Sequence, residues 1–199
     1  TCDWKSKRSS LMDLKNIEKP ILVDDILHYK DNIKILKHLF SFGHFQIDGT
    51  PIKNKNYNSK EDFLLNKTFT DIEQHSGFTC QIKNEQEDIP YNEPLSIYCF
   101  IIMNQLSKRL DFDYKKITRI IYNYYCRDQF CTEHVDGNTD NEFSIVYNLS
   151  TTDGGTIIQG QKYSDKSSQA KIFKSKWLHS SWPIDKDKGR VTLNIKFEI

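Results

Sequence analysis

The closing segment, Arg190-Val191-Thr192-Leu193-Asn194-Ile195-Lys196-Phe197, alternates without a break. Successive side chains of a β-strand point to opposite faces. Val191, Leu193, Ile195 and Phe197 therefore share one face, and Arg190, Thr192 and Asn194 the other. One face belongs in an apolar core; the other carries a charge and two hydrogen-bonding groups into something polar. Shorter runs of β texture precede it. Residues 116–126 are rich in Ile and Tyr, 143–149 alternate, Gly154-Gly155 marks a tight turn before Thr156-Ile157-Ile158, and 170–174 form another short run. Short strands at this spacing predict a sandwich or barrel.

The first half reads differently. Pro20-Ile21-Leu22-Val23 predicts a short strand ending at Asp24-Asp25, good helix-capping residues. Ile26, Leu27, Ile33, Leu36, Leu39 and Phe40 then recur at helical spacing up to a plausible terminator, Gly43. Asn92-Glu93-Pro94 opens a second helix, with Leu95, Tyr98, Cys99, Ile102, Leu106 and Leu110 as its apolar stripe. Between them, residues 44–92 are polar and aperiodic, the texture of a lid or substrate loop, though outer strands of a sheet are the alternative. The class is mainly β with N-terminal helices (α+β). At 199 residues the chain makes a single domain, with 20–116 as the N-terminal strand, helices and lid segment, and 117–199 as the catalytic core.

Composition excludes several classes. A net charge of +1 gives no general attraction to nucleic acid or an anionic membrane, and no apolar run is long enough to span a bilayer. Five cysteines, an odd number without a CxxC pair, fit reduced thiols and a cytoplasmic location better than a disulfide framework. The sequence starts with Thr1, which leaves the native N-terminus and any targeting segment open.

Chemistry concentrates at His134-Val135-Asp136. Two residues at i and i+2 of a strand share a face, so one imidazole and one carboxylate can meet a single metal. A further imidazole from a distant strand would complete a two-His, one-carboxylate face with open positions, the ligand set of non-haem Fe(II) oxygenases. His179, in Trp177-Leu178-His179-Ser180, is the candidate. His28, His38, His44 and His75 are read as structural: the first two lie on a helix and the others border the polar segment.

In order along residues 119–197 stand Tyr124, His134-Val135-Asp136, Ile145-Val146-Tyr147-Asn148-Leu149, Gly154-Gly155-Thr156, Ile172-Phe173, His179 and Gly189-Arg190. This order resembles the iron- and 2-oxoglutarate-dependent oxygenases of the prolyl 4-hydroxylase-like superfamily. The resemblance implies a double-stranded β-helix, or jelly roll, with supporting helices. It implies Fe(II) held by His134, Asp136 and His179, with no catalytic residue beyond that triad, and O2 as oxidant with ascorbate in a supporting role. It further implies 2-oxoglutarate with its far carboxylate on Arg190, eleven residues after His179, and hydrogen bonds to the cosubstrate from Tyr124, Thr192 and either Tyr147 or Asn148. A guanidinium is the natural bidentate partner of a buried carboxylate; Arg127 and Lys174 are the next anchors to consider.

The pattern departs from many relatives at Asp128 and Cys131, where a Gly in the loop and a Tyr three residues before the first His are usual. Asp136 keeps the carboxylate ligand, which argues against the halogenase variant. The expected activity is hydroxylation of a C–H bond with release of succinate and CO2, a prolyl or peptidyl substrate being the first guess. A small molecule or a glycan is the alternative substrate, and a catalytically idle jelly-roll binding module the rival class; a nucleic-acid substrate is disfavoured. Specificity is expected in residues 44–92, with Phe63, Phe69 or Phe78 closing over the substrate, and in the 137–142 loop.

Overall fold

A computed structural model describes residues 12–51, 72–83, 94–186 and 189–199. Ten strands form two antiparallel sheets. In the larger sheet the order is β1 (Ile21–Val23), β8 (Ala170–Lys174), β5 (Glu142–Asn148), β10 (Arg190–Glu198), β4 (Lys116–Tyr125), β3 (Ile72–Lys83), β2 (Gln46–Pro51). The smaller sheet runs β7 (Gln161–Ser164), β6 (Gly155–Ile158), β9 (His179–Trp182). Helices α1 (Tyr29–Phe42) and α2 (Pro94–Leu110) complete the regular structure, and no helix among the described residues is long and apolar enough to cross a membrane.

The alternation of β10 is realised as two different environments. Val191, Leu193, Ile195 and Phe197 join the main core with Ile120 and Tyr122 of β4 and Phe143, Ile145 and Tyr147 of β5. Ile35 and Leu39 of α1 and Leu95, Cys99, Ile102 and Leu106 of α2 cover that same face of the sheet. Polar tips are tied down as they are buried: Tyr122 donates to the Leu95 carbonyl at 2.9 Å, and Tyr147 donates to Asn32 Oδ1 at 2.7 Å. Arg190, Thr192 and Asn194 face the other way and line a cavity shared with the smaller sheet. There Val146, Phe173 and Ile158 make a second, small apolar cluster that joins the two sheets.

One tight turn and one close approach shape the smaller sheet. Gln159 and Gly160, at φ 51° and 75°, form the two-residue turn between β6 and β7, with the positive φ values that match strand twist. Gly155 lies under Trp182, where a Cβ would stand 2.1 Å from the indole Cη2, so any side chain there would push β9 away.

Three expectations change. The first helix begins at Tyr29 rather than after Asp24-Asp25, with His28 as its cap. Asp25 turns the chain at φ 54°, and buried Ile26 bonds through its N–H to the Ser168 carbonyl instead. In residues 44–92 the described residues include β2 and β3, which extend the larger sheet as the outer-strand alternative has it, while residues 52–71 and 84–92 lie outside the described residues. Phe78 stacks on Tyr124 at 6.1 Å, while Phe63 and Phe69 lie outside the described residues. Strands β7 and β9 were not predicted; four residues with few apolar groups carry too little pattern to show.

Candidate metal centre and cavity

His134 and His179 are neighbours through their backbones. Each N–H bonds to the other's carbonyl at 2.9 Å, an isolated antiparallel bridge between the loop before β5 and the start of β9. Asp136 follows two positions on, held by its own N–H to the Ser175 carbonyl at 2.8 Å. One ligand atom from each of the three residues lies within 4.8 Å of the others. Nε2 of His134 stands 3.7 Å from Asp136 Oδ1, and Nε2 of His179 stands 3.4 Å from Oδ2.

The outer bonds fix which ring nitrogen faces the centre. His134 Nδ1 lies 2.8 Å from the Thr132 carbonyl and His179 Nδ1 lies 2.9 Å from the Trp177 carbonyl. A carbonyl only accepts, so both Nδ1 atoms carry a proton and both Nε2 atoms point inward, the arrangement that orients metal-ligating histidines. Asp136 is steadied by Ser144, which donates to Oδ2 at 2.7 Å, and by Arg119, which donates to Oδ1. Burial acts to raise the Asp136 pKa, but the bonds from His134 and His179 and the charge of Arg119 outweigh it and hold the carboxyl far below the usual range. The hydrogen bond to Asp136, then that to Cys131, pushes His134 up to about 10. The site draws positive charge.

The cavity beside the triad has a volume of about 200 Å³. Arg119, Ile121, Asn123 and Tyr125 from β4, Thr156 from β6, Ser181 from β9, and Arg190, Thr192 and Asn194 from β10 contribute to its wall. Register sets its length: Arg119, beside the triad, pairs with Lys196, whereas Arg190 pairs with Tyr125 at the other end of the same ladder. At that end Arg190 is engaged by a carboxylate of the chain itself. Its Nε donates to Asp165 Oδ2 at 2.6 Å, and its Nη2 donates to Asp165 Oδ1 at 3.3 Å and to Thr156 Oγ1 at 3.1 Å. Burial opposes ionisation of Asp165, yet Arg190 and Lys171 hold its pKa down.

His134, Asp136, His179, Arg190 and Thr192 all border this one cavity. Two others do not. Tyr124 points to the opposite face of β4, packed among Phe40, Phe45 and Phe78, and its neighbour Tyr125 takes the cavity side. Tyr147 lies in the main core on Asn32, so of the pair left open it is Asn148 that shares the inner face of β5 with Val146. The Asn148 amide is wholly buried and neither its oxygen nor its nitrogen has a hydrogen-bond partner. Neither Arg127 nor Lys174 is in the cavity wall. Sequence reasoning missed Asp165, Lys171 and Arg119. Alternation could have found Lys171, which shares a face with Phe173; Asp165 follows β7 in a polar stretch and gives no such signal.

No protein-family model matches the sequence, and no curated protein does. Solved structures match it by fold. An oxidoreductase of the 2OG-Fe(II) oxygenase family from Burkholderia pseudomallei superposes with TM-score 0.62 at 13% identity, covering 90% of this chain and 84% of that one. The non-haem α-ketoglutarate-dependent carbocyclase SnoK from nogalamycin biosynthesis gives TM-score 0.65 at 8% identity, over 97% and 84% of the two chains. A prolyl hydroxylase from Trichoplax adhaerens, in complex with a peptide fragment of the hypoxia inducible factor oxygen degradation domain, gives 0.57 at 9%, over 94% and 87%. The chain has the fold of 2OG-Fe(II) oxygenases and prolyl hydroxylases, and its His-Asp-His group can hold a metal ion.

Proposed function

We propose that the protein is an Fe(II)- and 2-oxoglutarate-dependent dioxygenase, a single jelly-roll domain of the double-stranded β-helix type that hydroxylates a C–H bond and releases succinate and CO2. One observation carries this reading: a metal-competent triad and a buried arginine border the same cavity of about 200 Å³. The donor set fits both groups. Two inward Nε2 atoms and a carboxylate suit Fe(II) once the rings give up their Nε2 protons, and leave positions open, while Arg190 and Thr192 in the cavity wall, with the buried, unpartnered Asn148 amide paired in register with Thr192, suit the far carboxylate of 2-oxoglutarate. Bound iron and 2-oxoglutarate would supply the oxidising chemistry with O2. The chain's own residues do the rest. Thr132 and Trp177 hold the imidazoles in register, Ser144 and Arg119 fix the Asp136 carboxylate, and Val146 and Ile121 give an apolar patch to a wall that Asn123, Thr192 and Asn194 otherwise make polar.

For the substrate we infer a prolyl or other peptidyl side chain, in keeping with the peptide-bound Trichoplax relative in fold. A carbocyclase on the same fold keeps a small-molecule or glycan substrate as the alternative. A binding module without turnover is the competing class. The deciding experiment measures 2-oxoglutarate consumption under Fe(II), O2 and ascorbate with panels of peptides, amino acids and sugars, reading product mass. A gain of one oxygen on one panel identifies the substrate class. No 2-oxoglutarate turnover with iron bound, with or without any panel, overturns the enzyme reading in favour of the module.

A further inference from the structure

Three ionisable side chains are almost wholly buried at the Arg190 end: Lys171 is 0% exposed, Arg190 3% and Asp165 4%. Buried charges need partners, because none can be left to water. Lys171 Nζ lies 3.4 Å from Asp165 Oδ1, and Arg190 meets both oxygens of the same carboxylate. Among the described residues Asp165 is the one carboxylate paired with either cation. Thr152 adds a further donor to it at 2.8 Å. Two cations thus share one anion, and the cluster carries one positive charge in excess. Burial pushes Lys171 down to about 8 even though Asp165 acts the other way, the sign of a cation short of partners.

The geometry also says where the missing anion would sit. Asp165 takes the Nε and Nη2 edge of Arg190, and the Tyr125 ring lies 5.3 Å from the guanidinium carbon. Nη1 is left without a bond to any described residue, on a side chain that borders the cavity. Asn148, paired in register with Thr192 one step along β10, offers a buried amide with no partner of its own.

We propose that Asp165, Lys171 and Arg190 form a preassembled acceptor with one charge in excess, which the remote carboxylate of 2-oxoglutarate completes. Lys171 is then a second cationic determinant of cosubstrate affinity. Asp165 is a positioning residue: it turns one edge of Arg190 to the ligand and keeps two like charges together in its absence. The inference rests on the cosubstrate assignment above and adds to it two residues that the sequence pattern did not offer.

Its test uses the full chain loaded with redox-inert Mn(II), so that binding is read apart from turnover. Calorimetry compares 2-oxoglutarate with 2-oxopentanoate, which has the same keto-acid end and no remote carboxylate. In Lys171→Met the 2-oxoglutarate affinity falls about tenfold or more, 2-oxopentanoate is unaffected, and discrimination between the two shrinks. The ligand-free variant melts at or above the wild-type temperature, because the uncompensated charge is gone. Equal loss for both compounds, or equal 2-oxoglutarate affinity in variant and wild type, overturns the role of Lys171. Asp165→Asn supplies the converse and covers a failure of the first variant to fold. It melts lower than wild type, and 2-oxoglutarate raises its melting temperature by more; an equal or smaller rise overturns the acceptor. Wild-type protein that binds neither compound overturns the cosubstrate assignment itself, and this inference with it.

Discussion

Asp136 and Asp165 are both carboxylates sunk into the wall between the two sheets, and their surroundings run in opposite senses. Around Asp136 the chain gathers imidazole nitrogens that can be given over to a metal: two Nε2 atoms face its oxygens at 3.4 and 3.7 Å. Around Asp165 it gathers fixed donors, from Arg190, Lys171 and Thr152. The first arrangement is left wanting a cation, the second an anion. What distinguishes the two ends is therefore the inventory of donors and acceptors around each carboxylate, since both hold arginine. Arg119 touches Asp136 from a position 23% exposed, where water shares its charge; Arg190 is 4% exposed and shares it with nothing but protein.

The sharpest way to break the contrast is to empty the acceptor-rich end. Asp136→Ala or His179→Ala removes one of three ligands and should abolish tight Fe(II) binding by calorimetry, with 2-oxoglutarate binding in the presence of metal lost alongside. Unchanged iron affinity in either variant would remove the metal centre from this cavity. Next comes the donor-rich end. Arg190→Ala strips Asp165 of its bidentate partner and should cost about 3 kcal/mol in denaturant unfolding, the lower end of the range for breaking a buried pair because Lys171 remains. Its iron affinity should match wild type.

The pH dependence sharpens the same point. Asp165 is held below its ordinary pKa in the folded state, so its contribution is fully present above the unfolded value of about 3.9 and is lost as pH falls through the lower folded value. The stability gap between wild type and Asp165→Asn should therefore narrow below about pH 4. A gap that persists in acid would mean that shape rather than charge holds the cluster. Smaller effects follow at the supports. Ser144→Ala should weaken metal binding about tenfold while costing about 1 kcal/mol of stability. Smallest is a pair on one strand: Tyr147→Phe should cost about 1 kcal/mol with no change in metal or 2-oxoglutarate affinity, since its hydroxyl serves the α1 side of the sheet. Asn148→Ala should leave stability nearly unchanged and weaken 2-oxoglutarate, the opposite signature one residue away.

That one-residue difference marks what was legible in the sequence and what was not. Period 2 assigns β10 and its two faces outright, and the His-x-Asp spacing brings out two of the three candidate ligands, because both depend on local geometry. Tyr124 fails because a chain rich in Ile and Tyr on both faces has no contrast to say which tyrosine faces inward. The segment containing β2 and β3 is polar and extends the sheet to its β2 edge, and polarity alone does not separate such outer strands from a loop. The Asp165 cluster was invisible for a different reason. Its three members come from the end of β7, from β8 and from β10, and only the closing of one sheet over the other brings them together.

The backbone bridge between His134 and His179 has a consequence for how such a protein can vary. The distance between the two imidazoles is set by a pair of hydrogen bonds across one rung, and not by the chain that runs between them. Insertions in the intervening turns, at residues 137–141 or around Gln159-Gly160, lengthen the path without moving either ring. Natural or engineered drift in those turns is thereby uncoupled from the spacing of the two imidazoles, so new surface can be grafted there while the His-Asp-His group keeps its dimensions.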